Sequence, residues 1–281
     1  MRKSRLRRIS RRLSQWALEH MAKPYDSDCL KRSAVVFSPH FDDETLGCGG
    51  TILKKTRQGA EVRVIFVTDG NASHSRLISQ PELRFIRSNE ARNAARLLGL
   101  DARHVIFLDY EERKLSERLQ PAIEKVTEIL QRHRPEEIFL PYSKDPEMDH
   151  VVTNRIVLSA ARLYGDGMAI YEYPIWFWRH WPWVPLGTTR YRQLLRTTSA
   201  ILTFELRLLK DFRCRVYVGD VLEQKRLALD QYRSQMTRLR PVAEWRTLPD
   251  LSDGQFLECF FQQHEVFRPR RGLGPAYGEA R

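Results

Sequence analysis

From about residue 33 onward, short runs of β-branched and aromatic residues alternate with longer segments in which apolar positions recur at helical spacing. The runs predict strands at 34–38, 61–68, 104–108, 137–141 and 168–173, and the longer segments predict helices at about 81–98, 116–133, 150–164 and 221–236. Local chemistry supports several boundaries. Pro81 sits just inside the first of these helices and Gly99 just past its end, while Ser116 and Asp220 occupy N-cap positions of two others. Strand–helix alternation of this kind implies an α/β fold, a Rossmann-like and mostly parallel sheet with helices on both faces.

Residues 174–215 break the alternation and read as an insertion into a body spanning 33–268, with Trp176, Trp178, Trp181 and Trp183 crowded together. Residues 1–22 read as a separate basic helix, and 269–281 as a tail. Charge changes this picture. The net charge is +12, yet residues 1–18 hold seven basic side chains and no acid, and 174–215 hold eight against Glu205 and Asp211. The remaining body is therefore near neutral. Leu6, Ile9, Leu13 and Trp16 would line one face of the first helix with arginines over most of the rest, a pattern suited to an anionic membrane surface, with the clustered tryptophans at headgroup level. Cys29, Cys48, Cys214 and Cys259 form no paired motif, so neither a disulfide framework nor a thiolate metal site is expected. No apolar run is long enough to span a membrane, and no apolar stretch follows the basic N-terminus as in a secretion signal. The expected location is cytoplasmic, with peripheral contact to the inner membrane surface.

The densest chemistry lies in S38-P-H-F-D-D-E-T-L-G-C-G-G50, at the carboxyl end of the first predicted strand. Ligands of open α/β sheets bind at that edge. Adjacent Asp42 and Asp43 repel unless a cation is shared or one takes a proton, so a metal accounts economically for the cluster. His40 and Asp43 offer a nitrogen and an oxygen of the kind zinc accepts, and a catalytic zinc commonly takes a third protein ligand. P141-Y-S-K-D-P-E-M-D-H150 leaves another strand on the same edge and supplies His150. The Gly47–Gly50 stretch lacks the spacing of a dinucleotide or phosphate loop and reads better as a close-packed helix start.

These two segments resemble the motifs of the PIG-L/LmbE-like zinc N-deacetylases, and E61–G70, R87–G99 and K225–Q235 extend the resemblance. The resemblance implies an LmbE-type fold with His40, Asp43 and His150 as zinc ligands and Asp42 as general base. Fe2+ or Mn2+ would be able to take the place of Zn2+. It also implies substrate contacts from Arg87 and Asp69. Two positions depart from the family: Phe41 stands for a proline, and Glu147 for the histidine three residues before His150. Glu147 would take over a catalytic role only if protonated, and Tyr142 on the same loop is the alternative donor. Lys225, Tyr232 and Gln235 read more simply as structural, and an Arg87–Glu90 ion pair would be the structural use of Arg87.

The reaction implied is hydrolysis of the N-acetyl group of an N-acetylglucosamine-type sugar in a glycolipid, a lipid-linked intermediate or a polysaccharide precursor. A soluble N-acylated glycoside or metabolite is the alternative substrate. From a different class, the basic segments would suit a nucleic-acid or anionic-surface binding protein on this scaffold, but no base-reading fold accompanies them, and nucleic acid is not expected as a partner.

Overall fold

The computed structural model describes residues 2–165, 167–180, 182–184 and 202–270, with side chains from Arg7 onward. Eight strands form one sheet: β1 (Lys23–Pro24), β2 (Ala34–Ser38), β3 (Val62–Thr68), β4 (Val105–Tyr110), β5 (Glu137–Pro141), β6 (Ala169–Tyr173), β7 (Cys214–Tyr217) and β8 (His264–Pro269). Their order is β1-β7-β8-β6-β5-β2-β3-β4, with every pairing parallel except the two made by β8. The chain runs outward from β2 through β3 to β4, then returns to β5 on the other side of β2. Strand order thus reverses between β2 and β5, and the crevice above their carboxyl ends is where such sheets bind ligands.

Helices α1 (Arg2–Met21), α2 (Asp43–Arg57), α3 (Gln80–Leu97), α4 (Leu119–His133), α5 (Met148–Tyr164), α6 (residues 202–211), α7 (Leu222–Leu229) and α8 (Arg233–Met236) complete the fold. The central strands are apolar at consecutive positions because both faces are covered. Val35, Phe37, Ile65, Val67, Ile138 and Leu140 pack with Val126, Ile129, Leu130, Ile156 and Val157 of α4 and α5. The alternate residues Val36, Val64, Phe66 and Phe139 pack with Ile52 and Leu53 of α2 and Ala91 and Ala94 of α3. One period-2 pattern therefore feeds two cores.

The five expected strands are present, within two residues at each end. Several other expectations need correction. Ser116 caps nothing, because a 3-10 turn at Leu115–Arg118 precedes α4. The segment expected as one helix over 221–236 is broken between α7 and α8 at Tyr232, whose ring is buried and whose hydroxyl donates to Glu44 Oε1 at 2.6 Å. Asp220 is not its cap but lies in a 3-10 turn and pairs with Lys54 at 3.0 Å. The body also extends past its expected limits, since β1 pairs with β7 before residue 33, and β7 closes the segment read as an insertion. These strands were hard to read because β1 has two residues and β7 four.

The three described tryptophans of the cluster do not stand at the surface as expected. Trp178 and Trp183 are buried with ring centroids 4.5 Å apart, and Trp176 stacks on Phe256 at 5.0 Å. Trp181 lies outside the described residues, as do residues 271–281 of the expected tail. Apolar neighbours outweigh the basic residues nearby, so these rings fill the core. The Gly-rich start of α2 has a packing role: a Cβ at Gly47 would lie 2.4 Å from the Tyr173 ring, and one at Gly50 would lie 2.5 Å from Val218.

One buried ion pair joins three elements. Lys225 Nζ donates to Glu265 Oε1 and to the carbonyls of Leu46 and Phe260, each at 2.8 Å, while Glu265 also accepts from the backbone N–H groups of Gly50 (2.7 Å) and Thr51 (2.8 Å). Removing one partner leaves the other charge buried. Lys225→Met is expected to destabilise the fold by about 3–5 kcal/mol in urea unfolding, with Lys225→Met/Glu265→Gln recovering part of the loss. Equal midpoints for wild type and Lys225→Met would show that the pair contributes nothing.

Candidate active site

The site begins where β2 ends. Ser38 Oγ donates to the His40 carbonyl at 2.7 Å and accepts from Glu44 N–H at 3.0 Å, so the chain doubles back into α2 within a few residues. Asp42 takes up the turn in the left-handed region, at φ 116°. A non-glycine residue there costs on the order of 1–3 kcal/mol and persists only where its surroundings fix it. They do so here: Gln235 Nε2 donates to Asp42 Oδ2 and to the Phe41 carbonyl, and Asp42 N–H donates to Glu44 Oε2.

Three ligand atoms converge at this turn. His40 Nδ1 lies 3.4 Å from Asp43 Oδ2 and 3.3 Å from His150 Nε2, and His150 Nε2 lies 3.1 Å from Asp43 Oδ2. A tetrahedral zinc about 2.0–2.1 Å from each ligand requires ligand–ligand separations of roughly 3.3 Å. The triangle matches that spacing, and its donor set of two imidazoles and one carboxylate is one that zinc accepts. His150 and Asp43 are buried, while His40 reaches the surface and leaves that side open.

Each histidine has a carboxylate at its other ring nitrogen. His40 Nε2 lies 3.3 Å from Asp149 Oδ2, which also accepts from Arg113 N–H at 2.8 Å. His150 Nδ1, buried without a hydrogen-bond partner among the described residues, lies 3.7 Å from Asp145 Oδ1. Such outer carboxylates fix which nitrogen carries the proton and so which one faces a metal. The other oxygen of Asp145 accepts from the N–H groups of Ile175 and Phe177, both at 3.3 Å, tying the site to the segment after β6.

Burial and mutual charge set the protonation. Burial pushes Asp42 well above the usual carboxylate range, with the Asp43 charge adding to the shift. Burial also acts to raise Asp43, but His150 and His40 outweigh it and hold that carboxylate well below its ordinary value. Burial acts to lower His40; its bonds to Asp149 and Asp43 prevail and move it well above the ordinary imidazole value, and His150 is raised by Asp43 and Asp145 against the same burial. Without a cation, the triangle is therefore a carboxylate clasped by imidazoles that favour the protonated form.

The remaining sequence-predicted residues take varied places. Glu147 is the N-cap of α5, its Oε2 accepting from His150 N–H at 3.1 Å, and its carboxylate lies within 4.8 Å of ligand atoms on His40 and Asp149. Arg87 is buried, with Nη1 donating to the Gly70 carbonyl (2.6 Å), Nη2 to Ser73 Oγ (2.8 Å) and Nε to Ser234 Oγ (3.4 Å). Glu90, read as its ion-pair partner, instead accepts from Ser234 N–H and Oγ at 2.8 and 2.6 Å. Asp69, at the end of β3, accepts from Asn71 Nδ2 and Glu112 N–H at 2.7 and 3.2 Å. The buried Tyr142 hydroxyl donates to Asp211, which leaves it engaged away from any second acceptor. Sequence reasoning missed Asp145 and Asp149 as partners of the histidines, and Glu44 as the hub of the turn. An acid beside a helix start reads first as favouring the helix dipole, so neither aspartate carried a separate signal.

Comparison with known proteins bears on the same span. Residues 35–161 match the family described as PIG-L: GlcNAc-PI de-N-acetylase. The diacetylchitobiose deacetylase of Thermococcus kodakarensis is 30% identical over 125 residues, which is 42% of this chain and 46% of that relative, so the chain aligns with about half of its length. Among solved structures, the N,N'-diacetylchitobiose deacetylase of Pyrococcus horikoshii superposes with a TM-score of 0.62 at 20% identity, over 96% of each chain. GalB, the 4-carboxy-2-hydroxymuconate hydratase of Pseudomonas putida, superposes with a TM-score of 0.56 at 16% identity, over 86% of this chain and 97% of that one. At such identities these likenesses speak to the fold, which hosts more than one reaction. Fold, candidate ligand triangle and family signature coincide over residues 35–161, and over that span the chain matches the PIG-L family.

Proposed function

We propose that the protein is a zinc-dependent N-deacetylase that hydrolyses the acetamido group of an N-acetylglucosamine-type sugar, carried in a glycolipid, a lipid-linked intermediate or a polysaccharide precursor. The observation that carries this reading is the triangle of His40 Nδ1, Asp43 Oδ2 and His150 Nε2, at zinc-like spacing and beside a carboxylate that is not part of it. The family match supports the reaction class, and the open side at His40 gives a substrate access.

A bound zinc supplies Lewis acidity, making water a stronger acid and polarising the acetyl carbonyl. The chain's own residues do the rest. Asp42, held by Gln235 and by its strained backbone, takes the proton from water and returns it to the departing amine. Asp149 and Asp145 hold the two imidazoles in orientation. Glu147 fixes the start of α5 and hence His150, and keeps a carboxylate at the mouth of the site. Arg87 supports the Gly70–Ser73 loop and Asp69 ties the loops after β3 and β4, so both would shape the sugar subsite.

Metal analysis of the purified chain is expected to find about one zinc, and His40→Ala or His150→Ala to lose it, since a three-ligand site depends on each ligand. Full retention by both variants would remove the metal assignment. Asp42→Asn should keep zinc yet lose at least about a hundredfold in acetate release from N-acetylglucosamine or diacetylchitobiose. Near-normal turnover by that variant would place the base elsewhere, and no acetate release by wild type from any soluble or lipid-linked N-acetylated sugar would remove the deacetylase reading.

The raised values of His40 and His150 give the pH dependence its sign. Below those values the imidazoles are protonated and must release protons to bind metal; above them they are already free. Apparent zinc affinity should therefore fall with decreasing pH by about tenfold per unit for each proton displaced. Calorimetric titration in two buffers of different ionisation enthalpy counts those protons, and a count of zero would contradict the protonated triangle.

A further inference from the structure

Helix α1 is attached to the body by the wrong face for a simple amphipathic helix. The residues turned inward are mainly polar. Arg11 donates to Glu258 at 3.3 Å and lies over the Trp183 ring, Arg7 reaches the Trp183 carbonyl at 3.4 Å, Ser14 donates to Glu205 at 2.6 Å, and Gln15 bonds Gln262. The apolar stripe faces solvent: Ile9, Leu13 and Trp16 are 48%, 62% and 60% exposed. Arg8 and Arg12 flank it and are also exposed. Helix α6, joined to α1 through the Ser14–Glu205 bond, turns Leu202 and Leu206 outward at 62% and 59% exposure, with exposed Lys210 beyond them. Burial of apolar surface would normally drive a stripe of this kind inward, so a surface that keeps it outside fits a ligand that is itself apolar.

We propose that the outer faces of α1 and α6 form one docking surface for an anionic lipid bilayer. Leu13, Trp16, Leu202 and Leu206 would enter the headgroup boundary, with Arg8, Arg12 and Lys210 against the lipid phosphates. No helix among the described residues is long and apolar enough to cross a membrane, so the contact is interfacial. Charge selects this occupant. Exposed Arg8, Arg12 and Lys210 outnumber exposed Glu19 along this surface, and an anionic surface neutralises them while its apolar layer takes the stripe. A nucleic acid would engage the arginines but leave the leucines and Trp16 without a partner. The surface also lies near the site along the chain: Trp183, whose carbonyl meets Arg7 and whose ring lies under Arg11, follows Ile175 and Phe177, whose N–H groups donate to Asp145. The inference stands apart from the proposed chemistry, because binding is measured without turnover.

Co-sedimentation of the full chain is to be compared between vesicles of phosphatidylcholine alone and vesicles containing about one-third phosphatidylglycerol. Preferential binding to the anionic vesicles is expected, weakening as salt is raised. Leu13→Glu/Trp16→Glu, at exposed positions outside the catalytic machinery, should bind them at least about tenfold more weakly with unchanged circular dichroism. Arg8→Gln should weaken binding by about fivefold and reduce the salt dependence. Equal vesicle binding by wild type and Leu13→Glu/Trp16→Glu, or no binding at low salt, would overturn the proposal. So would a vesicle-independent dimer abolished by that double substitution, or tight binding of duplex DNA that it leaves intact.

Discussion

Three consecutive carboxylates, Asp42, Asp43 and Glu44, are buried side by side, and the rest of the site is built to make that tolerable. Unmatched, they would repel one another in a medium where each charge is costly to desolvate. Each is matched from a different part of the chain. Asp43 is met by His40 from its own turn and by His150 from α5; Glu44 by Ser38 and Tyr232; Asp42 by Gln235. The parallel pairing of β2 with β5 at the reversal of strand order brings His40 and His150 together, and the break between α7 and α8 brings Tyr232 and Gln235 in. Secondary structure near the site is thus irregular where a carboxylate needs a partner.

What the sequence revealed follows from the same physics. The five main strands were legible because buried parallel strands are continuous apolar runs, and the nearness of His40, Asp43 and His150 was legible because they sit in two short motifs on one sheet edge. Asp145 and Asp149 were not, since the polar residues of a helix start give no sign of which will face an imidazole. The helix break at Tyr232 was also hidden. Residues 221–236 have good helical composition, and only the tertiary demand of Glu44 and Asp42 interrupts them. The tryptophans misled because aromatic and basic residues together suit both an interface and a core, and only packing decides.

Helix α1 shows the converse. Its periodicity was clear, but its orientation was not, because a stripe of apolar residues says nothing about which side the body will take. Two arginines and a tryptophan carbonyl settle the question through polar contacts, which sequence periodicity does not report.

The Gln235–Asp42 contact spans 193 residues of sequence, while the family signature closes at residue 161. A ribosome-bound chain could therefore complete the sheet reversal and both histidine motifs long before Asp42 acquires its final orientation. Whatever chemistry Asp42 performs, its onset is tied to the emergence of the segment around α8, so a premature stop after α5 would leave the motif intact and the residue without Gln235. The same separation lets sequence drift around α8 retune that carboxylate without touching the motif itself.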